Sequence, residues 1–89
     1  MTDSQKVAFD QYLHHSRVLD ESGLKEFYAD GDFGLLCSNR AVLAEANLDD
    51  QQDSQLKSAD SRLASAFDGA TLQKYVDAFP NLPVRSWWG

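Results

Sequence analysis

Apolar residues in this chain recur at three- and four-residue spacing and nowhere alternate at period two, which restricts the fold to helices. Phe9, Tyr12, Leu13 and Leu19 share one face of a segment predicted as helix over residues 3–20, with Ser16 as a small residue that lets a second helix approach. Thr2 and Gln5 have the spacing of a capping box at its start. Leu24, Phe27 and Tyr28 predict a short second helix with Ser22 as N-cap, followed by a turn at Asp30-Gly31-Asp32. Leu35, Leu36, Val42, Leu43 and Ala46 predict a third helix to about residue 48, with Asn39 inside its face and in need of a buried hydrogen-bond partner. The run 33–37 also reads as a strand, but nothing else in the chain offers it a partner. Residues 49–54 are the most polar stretch and the best candidate for an exposed connection, although a helix through them is possible. Leu56, Ala59, Leu63, Ala66 and Phe67 mark a fourth helix that Gly69 suits as C′ cap; Leu72, Tyr75, Val76 and Phe79 mark a fifth, ended by Pro80. The short turn at 68–70 would make these last two an αα-hairpin.

The expected fold is therefore all-α: four to five short helices in one compact bundle-like or orthogonal array with an extended C-terminal segment. Residues 1–89 form a single helical domain, and 80–89 an extended aromatic tail, since Pro80 and Pro83 cannot continue the fifth helix. Phe9, Tyr12, Leu13, Leu43, Leu63, Phe67, Leu72, Val76 and Phe79, at the centres of their apolar faces, are the expected core.

Fourteen acids against eight bases give a net charge of −6, and the bases stand singly along the chain. Phosphate backbones are bound by clustered Lys and Arg, so direct nucleic-acid binding is not expected. Hydrophobic content of 43% fits a folded domain. Cys37 is the sole cysteine, which excludes an internal disulfide. The polar opening and the lack of a long apolar run predict a cytoplasmic protein with no membrane association.

Motifs that could carry chemistry fail on spacing. His14 and His15 are neighbours, and adjacent helix positions diverge by about 100°, so the two rings cannot share one ion; Asp10 one turn away adds no third imidazole. Read as a calcium loop from Asp30, the chain puts Gly34 at a ligand position, Leu35 where glycine belongs and Ala41 where a bidentate Glu is required. Asp32-Phe33-Gly34 matches a kinase metal-binding triplet without any other kinase element. Cys37 lies among apolar neighbours and reads as packing. The terminal hairpin makes a poor DNA reader, because its second helix carries Lys74 as its one base. No catalytic residue, cofactor or metal is expected.

The unusual features lie on the surface. Both tryptophans and both prolines fall in the last eleven residues, where a polar tail would be ordinary. Adjacent indoles at a chain end either close the open end of the bundle or bind a partner, and one of each is possible. The function expected is a small non-enzymatic intracellular interaction protein, an accessory factor, inhibitor or immunity-type module, with Arg85, Trp87, Trp88, Asp49, Asp50 and Asp53 as its partner-binding residues and a homodimer possible. Two alternatives stand beside it. Glu45, Asp49, Asp50, Asp53 and Asp60 form an acidic run that could mimic phosphates and inhibit a nucleic-acid-binding protein. A small enzyme or enzyme subunit would have to use His14, His15 or Cys37.

Overall fold

A reciprocal cap starts the first helix, as the Thr2 and Gln5 spacing predicts. The Gln5 amide donates to Thr2 Oγ1 at 3.2 Å, and the Thr2 amide to Gln5 Oε1 at 2.9 Å. In this computed structural model, which describes the backbone of residues 1–22 and 33–89 and the side chains of 1–19 and 34–89, helix α1 spans Asp3–Ser22. The short helix expected around Leu24 and the turn at 30–32 lie outside the described residues. Helices α2 (Phe33–Ala44) and α3 (Asp50–Ala66) both pack along α1. Ala8, Phe9, Tyr12, Leu13, Ser16 and Leu19 form the buried stripe of α1. The Ser16 hydroxyl donates to the Leu13 carbonyl at 2.7 Å and accepts from Arg62 at 3.2 Å, so the small residue does mark a close approach, to α3.

The face of α2 differs from expectation. Leu36, Cys37, Asn39 and Leu43 are buried, whereas Leu35 and Val42 are 41% and 40% exposed. Leu35 and Leu36, like Val42 and Leu43, are neighbours about 100° apart, and packing against α1 takes one of each pair. Asn39 finds its partner on α1, donating from Nδ2 to Gln11 Oε1 at 3.1 Å. The residues 33–37 are helical, and no strand occurs among the described residues.

Helix α3 begins earlier than the apolar spacing suggests. Asp49 is its N-cap: the Gln52 amide donates to Asp49 Oδ1 at 2.8 Å and the Asp49 amide to Gln52 Oε1 at 3.1 Å. The polar run 50–54 is thus the first turn of a helix, and the connection is 45–49. At the other end, Phe67 leaves α3 with extended backbone (φ −83°, ψ 124°), and Asp68 caps α4 (Gly69–Ala78) by accepting from the Thr71 amide at 2.7 Å. Gly69 opens the next helix and is not the C′ residue of the last, because the Asp68 cap makes the break without left-handed backbone. The two helices do not lie side by side as a hairpin; they meet through the Phe67 and Tyr75 rings, 5.0 Å apart.

The tail is shorter than expected. The non-helical run is confined to 79–83, and Val84–Trp88 forms a final helical turn, α5, which packs against both α3 and α4. Pro83 sits at its entry, where a fixed φ costs nothing, and its carbonyl accepts from Ser86 at 2.9 Å. The core contains Phe9, Tyr12, Leu13, Leu43, Leu63, Phe67 and Leu72 as expected, together with Tyr75, Val84 and Trp88; Val76 and Phe79 are only partly buried. The α4 stripe is rotated so that Thr71, Leu72 and Tyr75 face inward, toward α5.

Candidate functional site

The densest polar arrangement lies where α5 closes the bundle. Burial of Tyr12 on α1 leaves its hydroxyl in need of partners, and the neighbouring helices supply them. Trp88 donates its indole N–H to Tyr12 Oη at 2.8 Å, and the hydroxyl donates to Asp60 Oδ1 on α3. Arg40 on α2 grips the same carboxylate with two parallel bonds, Nε to Oδ1 and Nη2 to Oδ2, each 3.0 Å. Its guanidinium also stacks 5.2 Å from the Trp87 ring centroid. Helices α1 and α2 therefore both bond the α3 carboxylate, and α5 joins them through the Tyr12 hydroxyl. Both charged side chains are largely buried, at 12% and 15% exposed. Trp88 completes an aromatic cluster with Phe67 at 5.3 Å and Tyr75 at 5.4 Å, both edge-on.

These bonds tie α1, α2, α3 and α5 together. Burial, and then the neighbouring Asp60 charge, push the Tyr12 hydroxyl well above the ordinary tyrosine range, so it stays protonated near neutrality. Burial pushes the Cys37 thiol up to about 12, which removes the thiolate that a nucleophile requires. The His14 and His15 rings tilt 47° apart with centroids 6.1 Å from one another; His14 is exposed and His15 partly buried. Among the described residues, no three His, Cys, Asp or Glu side chains converge as metal ligands. No described helix is long and apolar enough to cross a membrane.

The residues expected to bind a partner are dispersed. Trp88 is 3% exposed and has no face to offer while α5 stays docked; Trp87 is partly buried beneath Arg40. Arg85 is exposed, with Nη2 donating to Gln73 Oε1 at 2.6 Å. Asp49 caps α3, Asp50 lies in its first turn, and Asp53 pairs with Lys57 at 2.9 Å. Asp60 has left the acidic run for the interior.

A second surface feature was not expected. Leu35 and Val42 lie one turn either side of Asn39 on α2, and Val7, 55% exposed, lies one turn before Gln11 on α1. Each of the three exposed apolar side chains is thus one helical turn from the Asn39–Gln11 bond that joins α1 and α2. Asp3 and Asp10 flank Val7 on the exposed face of α1, and Glu45 follows Val42; Lys6 is the neighbouring base. The signal was the doubled pairs Leu35-Leu36 and Val42-Leu43, which put one residue of each pair outside. The junction had a signal too: Arg40 and Asp60 sit beside the apolar stripes of two different helices with opposite charge.

A scan against protein-family models gave no match to this chain, and neither did searches of the curated proteins and of the solved structures.

Proposed function

We propose that the protein is a non-enzymatic, cytoplasmic interaction module whose α1–α2 seam receives a protein partner bearing an apolar ridge flanked by basic residues. The observation that carries this reading is the exposure of Val7, Leu35 and Val42, each one helical turn from the Asn39–Gln11 bond between α1 and α2, when a domain this small has every use for apolar side chains in its core. The carboxylates of Asp3, Asp10 and Glu45 around them favour a positively charged partner. A second copy of the chain is disfavoured, because like seams would bring two molecules of charge −6 together through the same acidic rim.

Val42→Asp tests the reading, since Val42 is exposed and its loss leaves the core intact. Sedimentation of the purified protein should give a monomer. Capture from the native lysate should yield a basic protein with the wild type and lose it with Val42→Asp, while Trp87→Ala retains it. Equal capture by wild type and Val42→Asp would refute the seam.

A further inference from the structure

A hollow of about 180 Å³ lies between α1 and α3, lined by Leu13, Arg17, Ser54, Gln55, Ser58 and Arg62. Its location is unusual for so acidic a chain. Arg40 has Asp60 and Lys57 has Asp53, but neither Arg17 nor Arg62 forms a salt bridge among the described residues. Arg62 is partly buried, and its one side-chain hydrogen bond among the described residues, from Nη1 to Ser16 Oγ, is to a neutral oxygen that fixes the guanidinium without neutralising it. Helical spacing places Ser54, Ser58 and Arg62 in one row on α3, and Leu13 and Arg17 in a facing row on α1.

We propose that this hollow binds a phosphate monoester dianion. Guanidinium groups pair with phosphate oxygens through parallel N–H bonds, and Arg62 keeps four of its five N–H donors for that purpose. Arg17, exposed at the rim, supplies the second positive charge. The Ser54 and Ser58 hydroxyls and the Gln55 amide supply neutral donors for the remaining oxygens. The site accepts a single compact group: the surrounding field of a −6 protein repels extended polyanions, so the ligand is a phosphoryl group on a small molecule or on a phosphoserine side chain.

The test is a titration of ¹⁵N-labelled full-length protein at constant ionic strength, once with inorganic phosphate and once with a short phosphoserine peptide, against a chloride control. Saturable shifts of the Ser54, Ser58 and Arg62 signals are expected in at least one arm. Arg17→Gln should weaken binding by about tenfold with the fold unchanged, as one charge-assisted contact is lost. Arg62→Lys, which keeps the charge and loses the fork, should weaken it further than an Arg17→Lys change does. Tighter binding of the peptide assigns the ligand to a phosphorylated protein, and equal binding assigns it to a free phosphate ester; either supports the site. No saturable shift in either arm, or shifts indifferent to Arg17→Gln, would overturn it.

Discussion

Trp88 donates its indole N–H to the Tyr12 hydroxyl at 2.8 Å, joining residues 76 positions apart. The bond makes the last turn of the chain a closing element of the bundle. Trp88→Ala should therefore destabilise by roughly 3–5 kcal/mol, as for other buried aromatic truncations. Tyr12→Phe should cost about 1–3 kcal/mol, because it strips both Trp88 and Asp60 of a partner. Urea unfolding of Trp88→Phe, Tyr12→Phe and the double variant should give a coupling of about 1 kcal/mol. Additive losses would mean the bond contributes nothing to closure.

Asp60→Ala should be among the costliest changes in the protein, at about 3 kcal/mol or more, because it leaves the Arg40 guanidinium unpaired in a mostly buried position. Replacing both charges together, as Asp60→Leu with Arg40→Met, should recover most of that loss in a thermal or urea melt. If the double variant is as unstable as the single one, the destabilisation comes from lost packing and not from an orphaned charge.

The helices were legible in the sequence and the junction was not, for a physical reason. Periodicity shows which residues share a face, so Phe9, Tyr12 and Leu13 on α1 and Leu63 and Phe67 at the end of α3 fall in the core as expected. It cannot choose between neighbours such as Leu35 and Leu36, because that choice depends on how far the helix is rolled against α1. Nor does it show long-range polar pairing: Tyr12, Arg40, Asp60 and Trp88 are brought together only by the packing of four helices. The boundaries missed at Asp49 and Asp68 were set by side-chain caps, a local signal that the apolar pattern overshadowed. The adjacent indoles left a lid, a binding surface or one of each open; Trp88 is buried as a lid and Trp87 stays partly exposed.

Cys37 is fully buried with its thiol pushed up to about 12. In the native protein at about pH 8 it should react with a disulfide reagent far more slowly than a free thiol does, and at the ordinary rate once urea unfolds the chain. Fast native labelling would place Cys37 at the surface and contradict the packing of α2 on α1.

Tyr12 links stability to alkaline pH. Its proton is held more tightly in the folded state than in the unfolded one, because burial and the Asp60 charge oppose the phenolate. The resulting stabilisation is complete below the unfolded value of about 10 and is lost as pH rises from there toward the folded value. Wild-type stability should thus fall more steeply above about pH 10 than that of Tyr12→Phe, measured by urea unfolding across the range. Parallel slopes would show that Tyr12 ionises freely in the folded protein.

The most direct test of the seam is a photo-crosslinking side chain placed at Val42, with the same group at exposed Gln73 on α4 as control. Illumination in the native cells should produce one discrete heavier species from position 42 and none from position 73, with the attached protein basic and different from this chain. A crosslink to a second copy of the chain, no crosslink at position 42, or the same products from both positions would contradict a partner seated on the α1–α2 seam.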